Sequence, residues 1–244
     1  MKPIELIGVE GLPEVKPGDD LGELISGHST LRPGDVVVVA QKVVSKSEGR
    51  IVRLEDVTAG EEAVRIAAHL IATPDPRMVQ VVLDESVRVL RSERVLITET
   101  RQGYVCANAG VDHSNTGAGV LTLLPTDPDA SARRLRDRLS ELTGVIVGVI
   151  VSDTFGRPWR LGIVNVALGV AGLPAAIDLR GTPDDAGQPL HATVLAVADD
   201  IAASAGLVMG KTARTPAVIV RGLDLRGSGT GQELIRPSAE DLFR

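Results

Sequence analysis

The segment Thr143-Gly144-Val145-Ile146-Val147-Gly148-Val149-Ile150-Val151 is apolar enough to be a buried strand, and it stops abruptly at Ser152-Asp153-Thr154. Phe155, Gly156, Arg157, Pro158, Trp159 and Arg160 follow at once. The chain holds one Trp, two Phe and one Tyr, so two of its few large rings lie beside that acid. An acid at the end of a central strand stands where α/β sheets place their ligands. A carboxylate with a neighbouring hydroxyl can hold a divalent cation against phosphates, and Arg157 and Arg160 are close enough in sequence to neutralise an anion. The alternative is that Asp153 caps the following turn and Trp159 only packs.

With aromatics at 2%, the core has to be built from Val, Leu, Ile and Ala. An apolar fraction of 43% and a charged fraction of 24% are those of an ordinary soluble globular protein. The formal charge of -6 argues mildly against nucleic acid as the main partner. Cys106 is the only cysteine, which excludes an internal disulfide or a cysteine metal cluster and points to a reducing, cytoplasmic compartment. The N-terminus carries no signal-peptide pattern, and no segment approaches the roughly 20 apolar residues of a membrane span. Arginine outnumbers lysine 21 to 5, which makes the lysines worth locating.

Val36–Ala40 reads as a second buried strand, entered through the turn Arg32-Pro33-Gly34-Asp35. Residues 60–72 carry a helical stripe, and Asp127-Pro128 opens a helix that runs to about Leu142 and ends at Gly144. Val79–Leu83 and Val87–Leu90 read as short strands, and Val95–Thr98 with Gly103–Ala107 as a hairpin turning near Arg101-Gln102. A long Ala-rich helix is expected over about 192–205, a strand over Pro216–Val220 and a short helix over Ser238–Phe243. Strands and helices mix without regular alternation, so the expected class is α+β (mixed α/β): mixed sheets with flanking helices. At 244 residues, one domain spanning 1–244, folded as two interlocked lobes, is expected.

Four further stretches could carry chemistry. Gln41–Arg50, just past a strand, places Lys42, Ser45, Lys46, Ser47, Glu48 and Arg50 together, a composition that suits either a polyphosphate or a solvated turn. Asn108–Gly117 offers Asp112 and Asn115 as oxygen donors for Mg²⁺ or Mn²⁺ from one tight turn, though such residues are turn formers in any case. Ala205–Thr212 contains Gly210-Lys211 in a relaxed P-loop pattern, but a helix precedes it and a strand follows, the reverse of a true P-loop; a helix end capped by Gly206 or Gly210 is the simpler reading. Gly227–Gly231 is either a phosphate loop or, with no helix start attached, an ordinary flexible loop.

Several separated segments, in the same order, resemble the coenzyme F420-0:L-glutamate ligases, or γ-glutamyl ligases. They are Gly11-Leu12-Pro13-Glu14-Val15, Lys42-Val43-Val44-Ser45-Lys46 with Glu48-Gly49-Arg50, Val111-Asp112 with Ser114-Asn115, Ser152–Arg160, Leu207-Val208-Met209-Gly210, and Leu234-Ile235-Arg236-Pro237 with Glu240-Asp241-Leu242-Phe243. The resemblance extends to the ligase domain of a mycobacterial bifunctional enzyme, in which a flavin-dependent reductase-like domain follows; this chain, ending at Arg244, is either a standalone enzyme or an excised domain. It implies GTP-dependent addition of L-glutamate to the phospholactyl carboxylate of a deazaflavin precursor, then of further γ-linked glutamates, through an acyl phosphate. It also implies Mn²⁺ or Mg²⁺, two ions, with K⁺ as a further candidate, and a homodimer.

Carried onto this chain, the resemblance makes Asp112, Asp153 and Thr154 metal ligands. It makes Leu12, Pro13, Glu14, Val15, Gln41, Lys46 and Asn115 GTP contacts, and puts Met209, Gly210 and Lys211 near the nucleotide. Arg157 and Arg160 join Asp153 as catalytic candidates, on chemistry more than on the resemblance. Phe155, Pro158 and Trp159 are left as scaffolding. A lysine at 211, where archaeal members carry a metal-binding glutamine nearby, puts the second metal in question or gives Lys211 a phosphate role. The rival classes are a metal-dependent nucleotide or phosphate-ester hydrolase using the same residues, and a noncatalytic deazaflavin-binding module.

Overall fold

The structure, a computed structural model, describes residues 3–113, 117–210 and 214–241. In chain order it comprises β1 (Glu5–Gly8), α1 (Leu21–Gly27), β2 (Val36–Ala40), α2 (Gln41–Ser47), β3 (Ile51–Arg53), α3 (Glu61–Ala67), α4 (Pro76–Asp84), β4 (Ser86–Arg91), β5 (Ile97–Thr100) and β6 (Val105–Ala107). There follow β7 (Val120–Thr122), α5 (Pro128–Thr143), β8 (Gly148–Arg157), β9 (Arg160–Ala171), β10 (Ile177–Asp178), β11 (Val194–Leu195), α6 (Val197–Met209) and β12 (Ala217–Arg221). Mixed sheets with helices packed on them make this an α+β fold, as the sequence pattern predicts.

The central sheet has the order β1-β12-β2-β8-β9. Its pairings are antiparallel except for β2 beside β8, which run parallel with Val36 opposite Gly148 and Ala40 opposite Ser152. Over Val36–Ala40 and Gly148–Val151 both strands are apolar at every position because each face is covered. On one face Val37, Val39, Val149 and Val151 pack with Ile25 of α1 and Ala132, Leu135 and Leu139 of α5. On the other, Val36, Val38 and Ile150 pack with Ala198, Ile201, Ala202 and Ala205 of α6. A third core, built from Ala63, Ile66, Val79, Val82, Leu96, Val111 and Leu121 among others, lies within residues 52–123, between β2 and β8 in sequence. It meets the central sheet through Tyr104, Leu124 and Leu168, where the Tyr104 hydroxyl donates to the Leu168 carbonyl at 2.5 Å.

Two carboxylates lock the sheet. Asp35, fully buried at the entrance to β2, accepts a bidentate pair from Arg221 at the end of β12, Nε to Oδ1 at 2.9 Å and Nη2 to Oδ2 at 2.8 Å. Asp129, buried in the first turn of α5, accepts from the backbone N–H groups of Val170 (2.8 Å) and Gly231 (2.7 Å), tying the helix to β9 and to the segment after β12. The Gly227–Gly231 run is therefore neither a phosphate cradle nor loose. Gly229 N–H donates to the Leu173 carbonyl, and a Cβ on Gly231 would lie 2.0 Å from the Leu168 carbonyl oxygen.

Several expectations are met closely. Asp127 caps α5, with Pro128 at its first position, and Gly144 ends it at φ 69. The 95–107 hairpin, the strand over 87–90 and the strand after Pro216 are in place. The stripe over 60–72 yields a shorter helix, Glu61–Ala67, and the Ala-rich helix is shifted to Val197–Met209, with Gly210 as its C-cap. Ser238–Glu240 forms a 3₁₀ turn, and the rest of that expected helix, from Leu242, lies outside the described residues.

Two expectations are corrected. Val79–Leu83 is helical, within α4, because Asp75 accepts from Arg77 N–H and Pro76 occupies the first turn, the same start signal as Asp127-Pro128. The strand at 145–151 begins at Gly148 and continues past Val151 to Arg157, because β9 pairs along its whole outer half. No helix among the described residues is long and apolar enough to cross a membrane.

Replacing Arg221 by Met strands the buried Asp35 carboxylate without its partner. Urea unfolding should show a loss of about 3 kcal/mol or more, the range for breaking a buried pair from one side, whereas the exposed pair Arg65–Glu62 can be broken with almost no effect.

Candidate active site

The site is organised by where β2 ends. Ala40 is opposite Ser152 in the parallel pair, so Asp153 is the first residue of β8 beyond its parallel neighbour. The chain leaving β2 turns directly into α2, and its first residues, Gln41 and Lys42, lie at that same carboxyl edge. Gln41 is buried and accepts from Ser45 Oγ at 3.2 Å. The Gln41–Arg50 stretch is thus a helix and its exit, not a solvated turn.

Lys42 and Lys46 are four residues apart on α2 and so point along one side of it. Lys42 Nζ lies 2.6 Å from Asp112 Oδ2. Asp112 reaches this position because it bridges to Thr122 of β7, with both backbone hydrogen bonds made. Lys46, buried, pairs with Glu14. That pair pins the Leu12–Val15 segment to α2: Val15 is buried, Leu12 packs against the core beneath α1 and α5, and Pro13 and Glu14 face solvent.

Asp153 is half-buried, and its Oδ1 accepts from Thr154 N–H at 2.8 Å. Its charge reaches Cys106 on β6: burial first, then the Asp153 carboxylate, pushes that thiol up to about 12, which keeps it neutral. Across the β8–β9 hairpin Thr154 faces Asn165, whose Nδ2 donates to Ser152 Oγ at 3.2 Å and approaches Met209 Sδ at 3.6 Å. Met209, at the end of α6 before its cap Gly210, is thereby brought against Asn165 of β9, which in turn reaches Ser152 of β8.

By these contacts Leu12–Val15 and Asp112 are tied to α2, Met209 and Gly210 to the β8–β9 hairpin at Asn165, and all of them, with Gln41, Lys46, Asp153 and Thr154, connect to the carboxyl edge of the β2–β8 pair. Arg157 and Arg160 do not. They face each other at the tip of the hairpin, exposed, four strand residues or roughly 13 Å beyond Asp153. Arg157 Nη2 donates to the Leu161 carbonyl. Of the expected scaffold, Phe155 does pack, edge-on to Tyr104 with ring centroids 6.3 Å apart. Trp159 lies in the hairpin turn at φ 64 and is 87% exposed, so it supports no core. Asn115 and Lys211 lie outside the described residues.

Asp112, Asp153 and Thr154 offer oxygen donors of the kind that suits Mg²⁺ or Mn²⁺, which take their remaining ligands from water and phosphate, though Asp153 and Thr154, successive residues of an extended strand, direct their side chains to opposite faces of β8. The ammonium group on Asp112 stands where a cation is wanted, and in that sense the residues fit a divalent ion. Among the described residues no three His, Cys, Asp or Glu side chains are placed together to hold a metal ion. The sequence singles out Lys42 only as part of the Gln41–Arg50 stretch, with no role of its own, and does not single out Asn165 at all. The i, i+4 spacing of Lys42 with Lys46 was the available signal for the first; the second needs the hairpin register.

A model of the F420-0:γ-glutamyl ligase family matches residues 11–222. Coenzyme F420:L-glutamate ligases from three archaea match nearly end to end. The Archaeoglobus fulgidus protein is 48% identical over 242 residues, covering 99% of this chain and 96% of its own length. The Methanothermobacter thermautotrophicus protein is 46% identical, covering 99% of each, and the Methanocaldococcus jannaschii protein 42%, covering 99% and 97%. The match takes in the whole β2–β8 edge with the residues gathered on it, and the chain belongs to the F420-0:γ-glutamyl ligase family.

Proposed function

We propose that this protein joins L-glutamate to the carboxylate of a deazaflavin coenzyme precursor, and then adds further glutamates through γ-linkages, at the expense of GTP. What supports the reading is that Asp153 lies just past the last β2–β8 pair and that Asp112 is held to Lys42 of α2, the helix that leaves β2 at that same edge. Family membership supplies the substrate class.

A carboxylate is a poor electrophile, so the reaction needs a leaving group. In the proposed sequence the precursor's carboxylate oxygen attacks the γ-phosphorus of GTP and GDP departs, leaving an acyl phosphate. The glutamate amine then attacks the acyl carbon, the C–O bond to phosphate breaks, and the amine gives up a proton as the amide forms. Lys46, buried and held by Glu14, is placed to bind a phosphate as a point charge. Asp112, Asp153 and Thr154 would hold the metal, which when bound neutralises charge on the phosphoryl oxygens. Met209 and Gly210 close one side of the nucleotide pocket. The arginines at the hairpin tip are too far out to touch the same phosphoryl group, and are better suited to the anionic tail of the second substrate. A homodimer accompanies this reading; the exposed apolar side chains of Trp159 and Leu161 on the same tip offer it surface.

Mass spectrometry after incubation with the deazaflavin precursor, GTP, Mn²⁺ and L-glutamate should show the precursor gaining whole glutamyl units, with release of phosphate that requires glutamate and precursor. GTP cleavage indifferent to both would instead establish a hydrolase. No glutamyl addition to a substrate pool that a known ligase converts would overturn the reading.

Steady-state kinetics of variants should separate the roles. Asp153→Asn should lower kcat/KM on the order of 10²–10³-fold, as expected for removing a group that stabilises developing charge. Lys46→Met should act mainly on the KM for GTP, by roughly ten- to a hundredfold. Arg157→Ala with Arg160→Ala should raise the KM for the precursor and leave that for GTP unchanged.

A further inference from the structure

The contact between Lys42 and Asp112 is not required by the fold. Both side chains are partly exposed, at 22% and 37%, and each belongs to an element already fixed by other bonds: α2 by its direct exit from β2, Asp112 by its backbone bridge to Thr122. An exposed ion pair contributes little to stability. Its position is what distinguishes it. The ammonium group lies 2.6 Å from an oxygen of one carboxylate, at the edge where Asp153 supplies the other.

A fixed ammonium beside a carboxylate has two opposite effects on ligands. It repels a divalent cation approaching that carboxylate, and it attracts the phosphates that a nucleotide would bring. A cation arriving alone meets the repulsion in full. A cation arriving with a polyphosphate brings compensating negative charge, which Lys42 can then bind. One turn further along the same side of α2, Lys46 adds a second cation to the same balance.

We propose that Lys42 is a specificity residue that makes divalent-metal binding at Asp112 and Asp153 conditional on nucleotide, by occupying Asp112 when no phosphate is bound. The proposal rests on the reading above that these acids hold the metal, and it concerns the order of ligation rather than the chemistry. It predicts thermodynamic coupling: metal and nucleotide each tighten the other's binding, and the coupling runs through this one side chain.

The test is a Mn²⁺ titration followed by electron paramagnetic resonance, on the whole protein, with and without GTP. Without nucleotide, Lys42→Met should bind Mn²⁺ at least about tenfold more tightly than the native protein, while Lys42→Arg, which keeps the charge, should stay within about threefold of it. Adding GTP should tighten Mn²⁺ binding strongly in the native protein and much less in Lys42→Met. Circular dichroism and thermal unfolding on the same samples confirm that each variant is folded; should Lys42→Met fail that control, Lys42→Gln serves in its place. Unchanged or weaker Mn²⁺ affinity in the folded, uncharged variant overturns the proposal. Mn²⁺ affinity that ignores both Asp112→Asn and Asp153→Asn overturns the metal assignment itself, and the proposal with it.

Discussion

A parallel strand pair cannot be closed by a tight turn, because the second strand must be entered from the same end as the first, and the chain has to cross back. In this protein the crossover from β2 to β8 is not a single helix. It holds α2 to α5, β3 to β7 and a hydrophobic core of its own. That one constraint arranges the site. The crossover must begin at the carboxyl end of β2, so α2 and its lysines are placed there. The body built within it delivers Asp112 to α2, and its return delivers β8 with Asp153 one residue past the last parallel pair. Both α1 and α5 on one face and α6 on the other then hold the pair rigid.

On the proposed reading, the charges at this edge are how an acidic protein would accept an anionic ligand. The chain as a whole carries a formal charge of -6, but the lysines at 42 and 46 are both spent here, each matched to a carboxylate. Matched in this way, the edge costs little to fold and is still able to exchange partners. In the proposed reaction phosphate oxygens would take over the lysines, and a divalent ion the acids. The buried thiol of Cys106 contributes no charge, since burial and the nearby Asp153 both hold it protonated.

Much of this was legible in the sequence, for identifiable reasons. The two apolar runs could only be covered strands, and Asp127-Pro128 with Gly144 marked both caps of α5. Val79–Leu83 was misread because a short apolar run looks alike in a strand and a buried helix. The deciding signal was Asp75-Pro76 just before it. β9 escaped notice because its outer half is exposed and its inner half buried, so no single period describes it. At the site, the acids and Lys46 could be found by type and position. What could not be found were the tertiary contacts. The ion pair of Lys42 with Asp112 spans the crossover. Asn165 gains its contacts with Ser152 and Met209 only once the hairpin is in register and α6 has docked, with Gly206 packed against it. The hairpin tip shows the reverse. Nearness in sequence suggested that Arg157 and Arg160 work beside Asp153, but an extended strand carries them away at about 3.3 Å per residue.

The central claim is that nucleotide and metal meet at the carboxyl edge of the β2–β8 pair. Crystallography with a nonhydrolysable GTP analogue and Mn²⁺ tests it most directly, because the anomalous signal of manganese locates the ion without reference to the protein's chemistry. The account predicts manganese within bonding distance of Asp112 and Asp153 oxygens, with the phosphates between it and Lys46. Manganese and nucleotide bound instead at the hairpin tip, or anywhere away from Asp112 and Asp153, would contradict it.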